Sequence, residues 1–273
     1  MNHLRTNLKS EARQLLRDRW SGAIASVLFC ALAVCLVILF ELLGNLLFGV
    51  TTPYTLFSAP QISYADWAFL THPSFWVISG AILLSLLLVL PLSVGRATWY
   101  CGVACGDGEG PQALAAPFRS LRAYGRTLYV GLQLVLRQLV LGLLFLLVPY
   151  GVGLLGTVGR FEWNWPEPVG SILTLLSLLL GLCAAFLYLV VLQRYMLVPY
   201  LILRSPELSA REVFRRSRQA TRGMRLELAV ASLSFWYWLL ACLAFFPLLY
   251  VMPYYAMTRA LYARTLLAAG SAP

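Results

Sequence analysis

The chain has 273 residues, of which 60% are hydrophobic and 12% charged, and its formal net charge is +10. A water-soluble domain carries about 25% charged residues, so this composition excludes a soluble globule and calls for lipid cover. The positive surplus would suggest nucleic acid in a soluble chain. Here it clusters between apolar runs on one side, which excludes nucleic acid as partner in favour of a membrane surface.

Residues 1–20 read as a cytoplasmic basic amphipathic helix. At ~100° per residue, Leu4, Leu8, Ala12 and Leu15 share one side while Lys9, Arg13 and Arg17 climb another. The first apolar run, Gly22 to about Phe40 and weakly on to Val50, exceeds the ~7–15 residues of a signal-peptide core. It reads as a signal anchor rather than a cleaved leader. Further spans are expected at Phe75–Tyr100, Tyr129–Gly153, Gly170–Leu192, Leu226–Phe245 and Pro247–Leu266, each near the ~20 residues that cross ~30 Å of hydrocarbon. The last two share one unbroken apolar stretch, with Phe245-Phe246-Pro247 as the turn, because proline suits the first turn of a helix.

Charge orients these spans. Arg5, Lys9, Arg13, Arg17 and Arg19 precede the first, and Arg119, Arg122 and Arg126 separate the second and third. Eight arginines from Arg194 to Arg225 lie between the fourth and fifth. The opposite loops carry only Arg160 and are rich in aromatic residues: Tyr54, Tyr64, Trp67, Trp76, Trp163 and Trp165. Basic loops stay inside, so both termini are expected in the cytoplasm of a multi-pass cell-membrane protein, with Arg259 and Arg264 also inside.

The sharpest local signal is a helix over 209–223. Ser209 and Glu212 have capping-box spacing and Gly223 can close the end. On one continuous wheel Arg211, Arg215, Arg218, Arg222 and Arg225 fall within about 80°, opposite Ala210, Val213, Ser217, Ala220 and Met224. A solvated face mixes signs and this one does not. The arginine face is therefore the candidate binding site for anionic lipid or an acidic protein partner.

A second candidate, for a polar site within the membrane, is Arg137 with Arg194, since ionisable groups in hydrocarbon are costly. Arg137 is expected only ~9 Å into its span, so its stem can reach the interface. Glu41, about 29 Å along its own helix, belongs to the other side and cannot pair with it. Pro149, Pro199 and Pro253, each followed by Tyr, and Pro91 invite kinks, which are read as packing features close to span ends.

At the arginine helix the chain resembles a bacterial membrane family known as domain of unknown function 975. LKSEARQLLRDRW is similar to the family's opening helix, APFRSLRAYGRTLYVGL to its loop before the third span, and RYMLVPYLILRSPELSAREVFRRSRQATRGMRLELAVASLSFWYWLL to its central pattern. Tyr195, Pro206, Ser217, Gly223, Leu233-Ser234-Phe235 and Pro253-Tyr254 carry that likeness, while Arg204-Ser205 replaces the usual Asp-Asn. The resemblance implies a six-span membrane protein and brings no activity with it.

Little supports catalysis. His3 and His72 are isolated, carboxylates are scattered, and the GDGEG run at 106–110 leads to Pro111 rather than into a phosphate-binding helix. Cys101 and Cys105, one turn apart beside Asp107 and Glu109, lack the further ligand pair of a metal site. No cofactor is implied. The expected architecture is all-α: a six-helix membrane bundle over 21–267, with two basic amphipathic helices on its cytoplasmic face and a short tail at 268–273. The expected function is a non-enzymatic membrane protein whose inner basic face binds anionic lipid or an acidic partner. A small carrier or channel for a lipid-like or organic solute is the alternative.

Overall fold

The computed structural model describes residues 2–49, 73–107, 110–236, 238 and 245–270, and within them the chain is helical without strands. Tyr54, Tyr64, Trp67, His72, Glu109 and Cys242 lie outside the described residues. The elements are α1 (Asn2–Arg17), α2 (Trp20–Leu47), α3 (Pro73–Cys105), a 3₁₀ segment (Pro111–Phe118), α4 (Leu121–Phe161), α5 (Glu167–Leu192), α6 (Val198–Arg204), α7 (Ala210–Ala220), α8 (Arg225–Leu233) and α9 (Phe245–Gly270). A short 3₁₀ turn, Gln193–Tyr195, leads from α5 towards α6.

Four of these helical runs, α2, α3, α4 and Glu167–Arg204, are long and apolar enough to cross a membrane. Charge is absent from 20–40, 73–95, 138–159 and 168–193 within them. At 1.5 Å per residue those stretches run ~30–40 Å, matching a hydrocarbon layer. Their side chains behave accordingly: Leu46, Leu147, Tyr150 and Leu182 are 63–74% exposed in the isolated chain. Large apolar side chains left in water would forfeit ~1.5–3 kcal/mol each, so these surfaces need lipid against them.

The packed core sits at the basic end of the bundle. Leu8, Ala12 and Leu16 of α1, Trp99–Ala104 of α3, Met196 and Leu197 between α5 and α6, Val213 and Phe214 of α7, and Met257–Tyr262 of α9 close on one another. α1 thus buries positions at i, i+4 and i+8. Leu16 takes the place expected of Leu15, and Leu4 stays at the surface. A Schellman turn ends α3, with Gly106 at φ +80°, its N–H donating to Val103 O and that of Asp107 to Gly102 O.

α4 and α5 form an antiparallel hairpin whose register is set by side chain to backbone contacts. Ser177 Oγ donates to Pro149 O at 2.7 Å, Tyr188 Oη to Gln138 O at 3.1 Å, and Arg160 pairs with Glu167 at 2.9 Å across the turn. α4 continues to Phe161, past the expected span end at Gly153. Gly153, Gly156 and Gly159 are where α4 meets Ser177, Leu173 and Trp165 too closely for a Cβ to fit without displacement. Pro149 is consequently interior to its helix rather than close to the end, as are Pro91 in α3 and Pro253 in α9.

The segments expected as the fifth and sixth spans do not appear as two long helices among the described residues. α8 ends at Leu233. Lys9 Nζ reaches Ser234 Oγ at 2.8 Å and lies 4.5 Å above the Phe235 ring, while Trp20 stacks on Tyr250 at 5.1 Å. Ser234 and Phe235 thus meet α1, and Tyr250 meets the start of α2.

Close helix contact at Gly95 gives a test of this packing. A Cβ there would stand 2.2 Å from the Leu114 carbonyl oxygen, whereas one at Gly125 in α4 meets nothing within 4 Å. Gly95→Ala should destabilise by about 1–3 kcal/mol through overpacking. Gly125→Ala should stabilise by about 0.5–1 kcal/mol through lost unfolded-state entropy. Thermal unfolding of the two variants in one detergent should give shifts of opposite sign.

Candidate functional site

The arginine helix is shaped by its cap. Ser209 Oγ accepts from the Glu212 N–H at 3.4 Å, and Glu212 Oε2 accepts from the Ser209 N–H and hydroxyl at 2.9 Å each. Those donors hold the Glu212 carboxyl below its ordinary value of 4.5, with Arg215 and Arg216 adding to the effect. Val213, Phe214 and Ser217 are buried, and Arg211, Arg215, Arg216 and Arg218 project outward.

The helix stops sooner than a single wheel over 209–223 would have it. It ends at Ala220, and the turn Thr221–Met224 holds Gly223 at φ +87°, a left-handed backbone that suits glycine. Arg222 is exposed in that turn, and Arg225 opens α8 with its Nη2 donating to Arg218 O at 3.3 Å. Arg225 is thus half-buried and partly committed to the backbone. Arg216, outside the expected stripe, joins the exposed set because its neighbour faces are not packed. Phe214 is the buried residue that the wheel left out. It stands about 100° from Val213 on the wheel, at the edge of the arginine stripe, and its aromatic bulk next to two arginines was the available signal.

Both expected sites meet at this helix. The Arg137 guanidinium carbon lies 3.7 Å from the Phe214 ring centroid, Phe214 meets Tyr195 edge-on at 5.8 Å, and Arg194 stands 5.7 Å from the Tyr195 ring. Ser217 Oγ donates to Arg194 O at 2.7 Å. Two aromatic rings thus sit between two guanidiniums, beneath the arginine face. Among the described residues neither Arg137 nor Arg194 has a carboxylate within 4.0 Å, and Arg194 Nε is buried without a hydrogen-bond partner. Glu41, in the far part of α2, does not enter this arrangement.

Other arginines at the basic end are structural. Arg204 donates to Cys101 Sγ at 2.9 Å, to Cys105 Sγ at 3.0 Å and to Asp107 at 2.8 Å. Arg264 caps the same end of α3 through Ala104 O at 2.7 Å and pairs with Glu11 at 2.6 Å. Arg126 holds the loop before α7 through Ser205 O and Leu208 O, both at 2.8 Å. These contacts were beyond sequence reasoning, which placed the two thiols together but had no reason to bring Arg204 to them. Among the described residues no group of three or more His, Cys, Asp or Glu side chains is placed to hold a metal.

The fold and this site define an all-α protein with apolar, membrane-length helices and a basic platform at one end. The chain belongs to the family described as "Protein of unknown function (DUF975)", whose model matches residues 1–270. It matches no curated protein and no solved structure.

The cap supplies a pH test. Because the folded Glu212 carboxyl titrates below 4.5, the stability it adds is fully present above 4.5 and is lost as pH falls through the folded value. Hydrogen exchange of the α7 amides should accelerate on acidification below 4.5 relative to the α4 amides. Glu212→Gln should remove that difference in pH response.

Proposed function

We propose that this is a non-enzymatic, multi-pass protein of a bacterial cell membrane whose basic inner face holds anionic lipid. The observation that carries this reading is the union of Arg137, Arg194 and the arginine helix in one place, with scarcely any acidic counter-charge. Arg211, Arg215, Arg216, Arg218 and Arg222 cannot lie in hydrocarbon, where each would cost at least ~2.5–3.5 kcal/mol. Since α7 docks on Arg137 and Arg194, those two residues stand at or outside the hydrocarbon boundary. The charge-free stretches 138–159 and 168–193 then fill the layer, with Arg160, Glu167 and the two tryptophans at its other side. Near an anionic leaflet each basic residue adds about 1 kcal/mol before salt screening, which is small beside several membrane crossings. That energy serves recognition and orientation rather than anchoring.

A carrier or channel would want a polar cavity around Arg137 or Arg194. Arg137 instead lies face-on to a buried phenylalanine, which favours the binding role. An acidic protein partner is the other occupant that the arginine face fits. Replacing Arg211, Arg215, Arg218 and Arg222 with glutamine should leave insertion intact and remove the preference for vesicles containing phosphatidylglycerol over phosphatidylcholine. An unchanged preference would overturn the lipid reading.

Topology follows from the same charges. Six crossings require 226–245 and 247–266 to span, while the Lys9–Ser234 and Trp20–Tyr250 contacts favour four. The stretch between Ser234 and Tyr250 is too short to cross ~30 Å and return. Either even number places both termini in the cytoplasm, in accord with Arg259 and Arg264. In a background with the native cysteines changed to serine, Pro247→Cys should resist an impermeant maleimide added outside intact cells. Rapid labelling there would establish the six-span arrangement.

A further inference from the structure

The pair Arg137 and Arg194 is spent on nothing within the fold that its position explains. A guanidinium held face-on to a ring keeps its N–H donors in its own plane, free to meet a second ligand at the edge. Arg137 is held this way over Phe214, and Phe214 is fixed in turn against Tyr195. Half-buried charge calls for an opposite charge, and none of the described carboxylates supplies one to either residue. Outward along the same face of α4, Val140, Leu144 and Val148, at i+3, i+7 and i+11 from Arg137, present a continuous apolar strip, each 49–59% exposed. Charge at the base of an exposed apolar strip is the complement of a lipid: phosphate below, acyl chain above.

The geometry points to a discrete phospholipid site, with the headgroup phosphate at Arg137 and an acyl chain along the Val140–Val148 side of α4. This rests on the lipid-binding role proposed above and adds a bound stoichiometry to it. The exposed arginines of α7 attract anionic lipid diffusely, whereas Arg137, positioned by Phe214, retains one molecule. Arginine suits this task because its planar fork engages two phosphate oxygens, which lysine cannot do.

Native mass spectrometry of the full chain released from phosphatidylglycerol micelles should show one retained phospholipid, against none from phosphatidylcholine. Arg137→Gln should lower its occupancy about tenfold, and Arg137→Lys should lower it less. The variant with Arg211, Arg215, Arg218 and Arg222 changed to glutamine should keep the single lipid while losing vesicle preference. Glycerol phosphate, added as a chainless competitor, should fail to displace it. Equal retention by wild type and Arg137→Gln, with vesicle preference intact, would overturn the discrete site and leave the diffuse role standing. Loss of both retention and vesicle preference in the α7 variant alone would assign all binding to α7. Displacement by glycerol phosphate would mean that a free phosphate compound, not a lipid, is the occupant.

Discussion

An arginine side chain cannot give up its charge, and hydrocarbon cannot solvate it. That constraint arranges this molecule. Apolar helices run without charge for the thickness of a bilayer, and wherever an arginine occurs it must find a carbonyl, a carboxylate, a thiol, an aromatic face or water. Arg126, Arg204 and Arg264 take the first three, and Arg126 and Arg264 in doing so close loop and helix ends that would otherwise leave carbonyls bare. Arg137 and Arg194 take aromatic faces. The core therefore gathers around the basic end, where polar partners are available, while the other end of the bundle is mostly side chain turned outward.

Small residues complete the arrangement. In lipid, helices gain nothing by merely hiding apolar surface from one another, so close backbone approach and directed hydrogen bonds hold them. The α4–α5 seam shows both, with glycines at 153, 156 and 159 and the Ser177 hydroxyl on the Pro149 carbonyl. The expected span ended at Gly153 because a membrane-length window was already filled there, whereas α4 runs on to Phe161.

Legibility in the sequence followed locality. The capping box at Ser209, the left-handed Gly223 and the apolar stretches of α2 to α5 depend on neighbours within a turn or a helix, and each could be read directly. The end of α7 at Ala220 could not, because a periodic arginine pattern continues through the turn that Gly223 makes. Arg204 beside Cys101 and Cys105, and Phe214 beneath Arg137, depend on helices roughly eighty to a hundred residues apart in the chain. No periodicity encodes such meetings. Hydropathy alone also has no means of bringing Ser234 to Lys9 or Tyr250 to Trp20.

The first and last helices are clasped together. Glu11 meets Arg264 across 253 positions, and Lys9 meets Ser234 across 225. During synthesis α1 is made well before its natural cover, so Leu8, Ala12 and Leu16 have no permanent partner until α9 has been made. Loops of that length close slowly compared with the insertion of single helices. The amphipathic α1 must wait somewhere, and the membrane surface beside its own first span is the nearest apolar shelter. The bundle is thereby assembled around a helix that begins life as a surface passenger and ends it as part of the core.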